Sequence, residues 1–121
     1  MAILNFNEEL LKRSLNHGFS GGEKKKMEVL QMLVLEPKLI ILDEIDSGLD
    51  IDAIQAVANA VNFLKQDKNV SVLLITHYSR ILNFLNIDRV HILSKGQIIK
   101  TGSANLIKRI EEKGFANFLK A

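Results

Sequence analysis

With 121 residues, 47% of them hydrophobic and 25% charged, the chain has the makeup of a single soluble globular domain with a real core. A formal net charge of +2 is too small to argue for nucleic acid or a membrane surface as partner, and no apolar run approaches a membrane span. The absence of Cys excludes a disulfide framework and thiolate sites for zinc or an iron–sulfur cluster, and Asn5, Glu8 and Glu9 interrupt anything like a signal peptide. A cytoplasmic or organelle-matrix location is the default.

Residues 3–15 carry Ile3, Leu4, Phe6, Leu10, Leu11 and Leu15 at the loose spacing of a short amphipathic helix, with Asn7 as its candidate cap. Asn16-His17-Gly18 reads as a turn. Ser20-Gly21-Gly22 then opens a helix expected to reach about Leu35, with Met27, Leu30, Leu33 and Val34 inward, before Pro37 biases Glu36 out of the helical region. Glycines at a helix start permit close backbone approach, and its free N–H groups suit an anion. Taken alone, the same residues are an ordinary Ser cap with a Gly-rich turn. Lys24-Lys25-Lys26 reads first as a solvated helix face, yet three cations in a first turn oppose the helix dipole and leave room for an acidic partner.

Leu39 to Leu42 is a short apolar run that stops at Asp43 and Glu44, the pattern of a buried parallel strand with acids at its C-terminal end. Open α/β sheets bind ligands at that end. One acid there can hold Mg²⁺ and its neighbour can orient an attacking water; the bland alternative is a core strand followed by a polar turn. Asp50 is a natural cap for a helix from about Ile51 to Lys65, with Ile54, Val57, Ala58, Val61 and Leu64 inward.

Val70 to Ile75 reads as a second buried strand leading to Thr76-His77, and Ser79 as the cap of a short helix through Leu85. Lys95-Gly96 separates two strand-like runs, Arg89–Ser94 and Gln97–Thr101, which predicts a hairpin. A last helix is expected over about Ala104–Lys113, with Leu106, Ile107 and Ile110 inward and Gly114 ending it. Phe115, Phe118 and Leu119 are expected to pack back on it.

In order, Phe19 to Glu23, Leu39 to Glu44, Ser47 to Asp50 and His77 resemble the signature loop, Walker B strand, D-loop and switch histidine of ABC-type ATPases. Transport ATPases typically read Asp-Glu-Pro-Thr-Ser-Ala-Leu-Asp across the second and third of these; here the string is Asp43-Glu44-Ile45-Asp46-Ser47-Gly48-Leu49-Asp50. Arg13-Ser14, Gly18 to Lys25, Leu30-Gln31-Met32, Gly48 to Ala53, Thr76-His77-Tyr78 and Arg80-Ile81-Leu82 resemble the SufC family, soluble ABC-type ATPases of the SUF iron–sulfur cluster assembly system. Ile45 departs from that pattern, where a small polar residue is common.

The resemblance implies a P-loop NTPase-like, three-layer α/β fold, seen as its C-terminal part without the P-loop strand: 1–18 as the tail of a helical subdomain, 19–121 as part of the catalytic core. It implies ATP and Mg²⁺ as cofactors, Asp43 as a metal-shell acid, Glu44 as catalytic base and His77 as γ-phosphate sensor. Ser20, Gly21, Gly22 and Glu23 would close on ATP held by a second SufC subunit, and Asp50 would link the two sites. The implied function is ATP-driven remodelling of a SufB–SufD scaffold. An ABC transporter ATPase subunit and a non-catalytic interaction module made from half an ATPase fold are the alternatives.

No G-x-x-x-x-G-K-[ST] occurs in the chain, so the phosphate-cradling loop and lysine are expected to lie upstream, and this stretch alone is not expected to bind ATP tightly. Topology adds two expectations. Lys25 or a neighbouring lysine should bond Glu44 or Asp46, where three carboxylates crowd one strand end. Apolar strand edges lacking a central neighbour should drive homo-oligomer formation.

Overall fold

A serine followed by two glycines sets the start of helix α1 (Gly21–Leu35): Ser20 Oγ accepts the Glu23 N–H at 3.2 Å, and Glu23 Oε2 accepts the Ser20 N–H at 2.7 Å. This is a capping box, in which two helix-end donors are satisfied reciprocally. The computed structural model describes Lys12, Gly18 and residues 20–119. The short helix expected over residues 3–15, the turn at residues 16–18 and Phe19 fall, apart from Lys12 and Gly18, outside the described residues.

The chain divides into two compact units, residues 1–85 and 86–121. In the first, α1 is followed by strand β1 (Leu39–Asp43), helix α2 (Ile51–Asp67) and strand β2 (Ser71–Ile75). The two strands pair in parallel, Leu39 opposite Ser71 and Asp43 opposite Ile75, so their C-terminal ends coincide. A βαβ unit of this kind needs its connecting helix on a sheet face, and α2 supplies it. Ala53, Ile54, Val57, Ala58, Ala60, Val61 and Leu64 are buried along α2 and pack with Ile40 and Leu42 of β1 and Val29 of α1. The other face of the pair is open, with Leu39, Ile41, Leu73 and Ile75 exposed. No third strand joins this sheet among the described residues.

Several local expectations are revised. The inward side of α1 is Met27 and Val29, with Leu30 and Leu33 half-buried and Val34 exposed. A helix lying on one neighbour buries a narrower stripe than the periodicity allows. Glu36 leaves the helix, as Pro37 requires, but into left-handed backbone (φ 43, ψ 55) rather than an extended one. Its N–H still reaches the Met32 carbonyl at 3.2 Å. Ser79 caps nothing with its side chain: the short helix is a 3-10 turn, Ile81–Phe84, entered from Arg80, and the Ser79 carbonyl accepts the Leu82 N–H at 3.0 Å. The fully buried Ile81 anchors that turn to the core, and Asn62 of α2 donates to the Phe84 carbonyl at 2.8 Å.

The second unit is the expected hairpin and helices: strands β3 (Val90–Ser94) and β4 (Gln97–Gly102), then helices α3 (Asn105–Lys113) and α4 (Ala116–Leu119). Lys95 and Gly96 both take positive φ (48 and 76), as the two central residues of a tight hairpin turn must. A register shift after Ile92 leaves Ile99 as the extra residue on β4. Ile92, Leu106 and Ile107 are buried, Ile110 is half-buried, and Gly114 ends α3 by donating to the Ile110 carbonyl at 2.7 Å. Of the terminal apolar residues only Phe118 is half-buried, beneath the Arg109 guanidinium, while Phe115 and Leu119 stay exposed.

Candidate active site

Because β1 and β2 run in parallel and in register, the segments leaving their C-terminal ends emerge side by side. After β1 comes Glu44, held in left-handed backbone (φ 48), a conformation that costs a non-glycine residue about 1–3 kcal/mol. Two hydrogen bonds hold it there: Glu44 N–H to the Ile75 carbonyl at 2.8 Å, and Ser47 N–H to the Glu44 carbonyl at 3.1 Å. After β2 comes His77. Glu44 Oε1 lies 3.0 Å from His77 Nδ1, with each side chain about half exposed. An ionised carboxylate only accepts, so the imidazole proton in this bond sits on Nδ1 and leaves Nε2 to face elsewhere. The Tyr78 ring lies against the imidazole at 3.9 Å between ring centres, tilted by 39°.

Asp43 ends β1 with its carboxylate exposed and bonded to no described residue. No cluster of three or more His, Cys, Asp or Glu able to hold a metal occurs among the described residues. This donor set does not make an all-protein metal cage. It suits Mg²⁺, which keeps several waters and is bound through one or two carboxylates plus substrate phosphates.

The turn between Glu44 and Asp50 folds back on the core. Ile45, at the position where the sequence departs from the pattern it otherwise resembles, is buried in one cluster with Leu49 and Ile54, which explains an apolar residue there. Asp46 is also buried, 4% exposed, and accepts the Thr76 hydroxyl at 2.9 Å through Oδ2. The Asp46–Thr76 bond is not legible in the sequence; the only hint is that Thr76 directly precedes His77. Asp50 caps α2, its Oδ1 accepting the Ala53 N–H at 2.8 Å. A shallow cleft of about 260 Å³ beside this turn is lined by Asp46, Gly48, Leu49, Ile54, Tyr78 and Arg80.

At the start of α1, Ser20 and Glu23 are engaged with each other in the capping box. A side chain added at Gly21 would meet nothing within 4 Å, and one at Gly22 would touch only Leu49 Cδ2 at 3.7 Å. The start of α1 therefore lies near Leu49 of the Ser47–Asp50 turn. Among the described residues, packing requires neither glycine.

The expected ion pair between the α1 lysines and the strand-end acids does not form. Lys25 Nζ lies 3.6 Å from Glu28, one turn along its own helix, and Glu44 takes its partner from His77. The neighbour three residues on is always within reach on a helix face, and the parallel register had already brought His77 to Glu44.

A sequence profile of the ABC transporter family matches residues 1–47. The chain is 54% identical over 115 residues to a probable ATP-dependent transporter, SufC, of Escherichia coli, covering 95% of this chain and 46% of that protein. It is 53% identical over 113 residues to a probable ATP-dependent transporter of Synechocystis, covering 93% and 44%. Against a probable ABC transporter ATP-binding protein of Streptococcus pyogenes serotype M1 it is 51% identical over 116 residues, covering 96% and 45%. The chain thus spans about half the length of the curated relatives it matches. The ABC match implies a P-loop NTPase-like fold, with which the mixed helices and parallel strands agree. Along nearly its whole length the chain is similar in sequence to SufC of Escherichia coli and to other ATP-binding proteins of the ABC kind, along about half of theirs.

Proposed function

We propose that this chain carries the water-activating half of an ABC-type ATPase of the SufC kind, whose ATP hydrolysis drives iron–sulfur cluster assembly on a SufB–SufD scaffold. The observation that carries the reading is the 3.0 Å bond between Glu44 and His77 at the shared C-terminal end of two parallel strands, with the free Asp43 carboxylate one residue away. In this reading Glu44 Oε1 is steadied by the imidazole while Oε2 orients a water and takes its proton. His77 Nε2, when protonated, donates to a γ-phosphate oxygen. Asp43 would hold Mg²⁺, which when bound neutralises charge on the phosphates. Gly21 and Gly22 leave the α1 N-terminus open to close approach by ATP held on a second copy, with Ser20 and Glu23 beside them and Asp50 linking the two sites.

The chain corresponds in this reading to the C-terminal part of the fold, without the P-loop strand, and works in the cytoplasm or an organelle matrix. Among the described residues no helix is long and apolar enough to cross a membrane. The relatives named as transporters favour, as the second reading, an ATPase subunit coupled to membrane helices.

The test is hydrolysis of Mg-ATP in an assembly that supplies the phosphate-cradling loop. Glu44→Gln keeps shape and removes the base, so turnover should fall at least about 100-fold while nucleotide binding survives and an ATP-bound dimer accumulates on size-exclusion chromatography. Undiminished turnover would reject Glu44 as base. The 121-residue chain by itself should show no micromolar Mg-ATP site in a calorimetric titration.

We also infer that this chain self-associates. Leu39, Ile41, Leu73 and Ile75 form one exposed apolar face on a parallel pair, and parallel strands are ordinarily covered on both faces. Light scattering should show an oligomer that Ile41→Lys weakens; a monodisperse wild-type monomer would reject it.

A further inference from the structure

Glu44 and His77 are both about half exposed, and an exposed hydrogen-bonded pair of side chains holds its geometry poorly. Something else must fix the imidazole on the carboxylate. Two residues beyond Glu44 stands Asp46, and one residue before His77 stands Thr76; their side chains are joined by the 2.9 Å bond from Thr76 Oγ1 to Asp46 Oδ2. The same Thr76 oxygen accepts the Tyr78 N–H at 3.0 Å. The residues on either side of His77 are therefore tied to one hydroxyl, and that hydroxyl is tied to a buried carboxylate.

We propose that Asp46, acting through Thr76, is the positioning residue that holds His77 on Glu44. The inference deepens the reading of Glu44 and His77 as the water-activating pair. Three bonds then fasten the turn after β1 to the end of β2: Glu44 N–H to Ile75 carbonyl at 2.8 Å, Asp46 to Thr76 at 2.9 Å, and Glu44 to His77 at 3.0 Å. The first two join the same two segments as the third and set its geometry.

The burial of Asp46 supports this assignment. Its Oδ1 is buried with no hydrogen-bond partner among the described residues, and its other oxygen serves one neutral hydroxyl. Burying a carboxylate on such terms is costly, and an apolar residue of the same size would fill the space at less cost. Thr76 has one proton and two acceptors near it, Asp46 Oδ2 at 2.9 Å and the Tyr78 carbonyl at 3.4 Å. The shorter bond to the carboxylate is the stronger, so the proton goes to Asp46.

The experiment is nuclear magnetic resonance on the 121-residue chain, reading the through-space contact between His77 Hε1 and the Glu44 γ-methylene, with urea unfolding in parallel. Wild type should show the contact, and its absence would overturn the proposal. Thr76→Val removes the hydroxyl at nearly constant volume and should abolish the contact while unfolding stays cooperative. Thr76→Ser restores the hydroxyl and should restore the contact. A contact that persists in Thr76→Val, with only the unfolding midpoint lowered, would show a merely structural role and overturn the proposal. Should Thr76→Val fail to fold, Asp46→Asn decides. A neutral amide is a weaker acceptor than a carboxylate and should cut the contact intensity by about half or more; unchanged intensity overturns the proposal. ATP has no part in this measurement, so its failure and that of the Glu44→Gln hydrolysis test are separate results.

Discussion

The two units are held together in different ways. In residues 1–85 each paired strand residue lies 32 positions from its partner, as with Leu39 opposite Ser71 and Asp43 opposite Ile75, and the buried set of α2 makes that worthwhile. In residues 86–121 the strands are neighbours joined by the two-residue turn Lys95-Gly96, and the buried set shrinks to Ile92, Leu106 and Ile107. Non-local pairing needs a large core, whereas a hairpin needs a correct turn and a modest one. The candidate site depends on the first arrangement, since only parallel strands deliver two loops to one end.

This contrast predicts a graded series of effects. Leu64→Ala empties a fully buried position in α2 and should destabilise the first unit by about 2–5 kcal/mol. Urea unfolding checks the size, and hydrogen exchange should show the loss across α2 and β1 rather than in the hairpin. Ile92→Ala deletes the largest buried contribution of β3 and should cost nearer the low end, about 2 kcal/mol. Its exchange effect should stay within residues 86–121; spread into α2 would mean the two units unfold as one.

Smaller effects sharpen the same contrast. Gly96→Ala forces a side chain into φ 76 and should cost about 1–2 kcal/mol, again read in the hairpin amides. Ser20→Ala removes half of the capping box and should lower stability by about 1 kcal/mol, whereas Ser20→Gly should cost only a few tenths. A thermal melt distinguishes those last two. Near-equal losses would mean that the Ser20 side chain is not what holds the start of α1.

Local chemistry is legible wherever one residue type decides a backbone conformation. Ser20 and Asp50 have the sequence pattern of caps and are caps; Lys95-Gly96 has that of a hairpin turn and is one; Gly114 ends α3. The inward stripe of α2 is legible because five apolar residues at helical spacing admit one buried face. The stripe of α1 is less so, and the cap expected of Ser79 is one that the 3-10 turn does not use, because both depend on how much surface a neighbouring element covers.

At the site, the sequence by itself determined which chemical groups are present: Asp43 and Glu44 at a strand end, and a histidine after a second apolar run. It determined the helix starts at Ser20 and Asp50, since a cap acts within three residues. Only the tertiary structure decided the partners. Pairing in parallel brought His77 to Glu44 across 33 positions and Thr76 to Asp46 across 30, and it left Lys25 to Glu28. A lysine and a histidine both satisfy a carboxylate, so composition cannot choose between them. The strand register chooses, because it fixes which side chains emerge at the same end of the sheet.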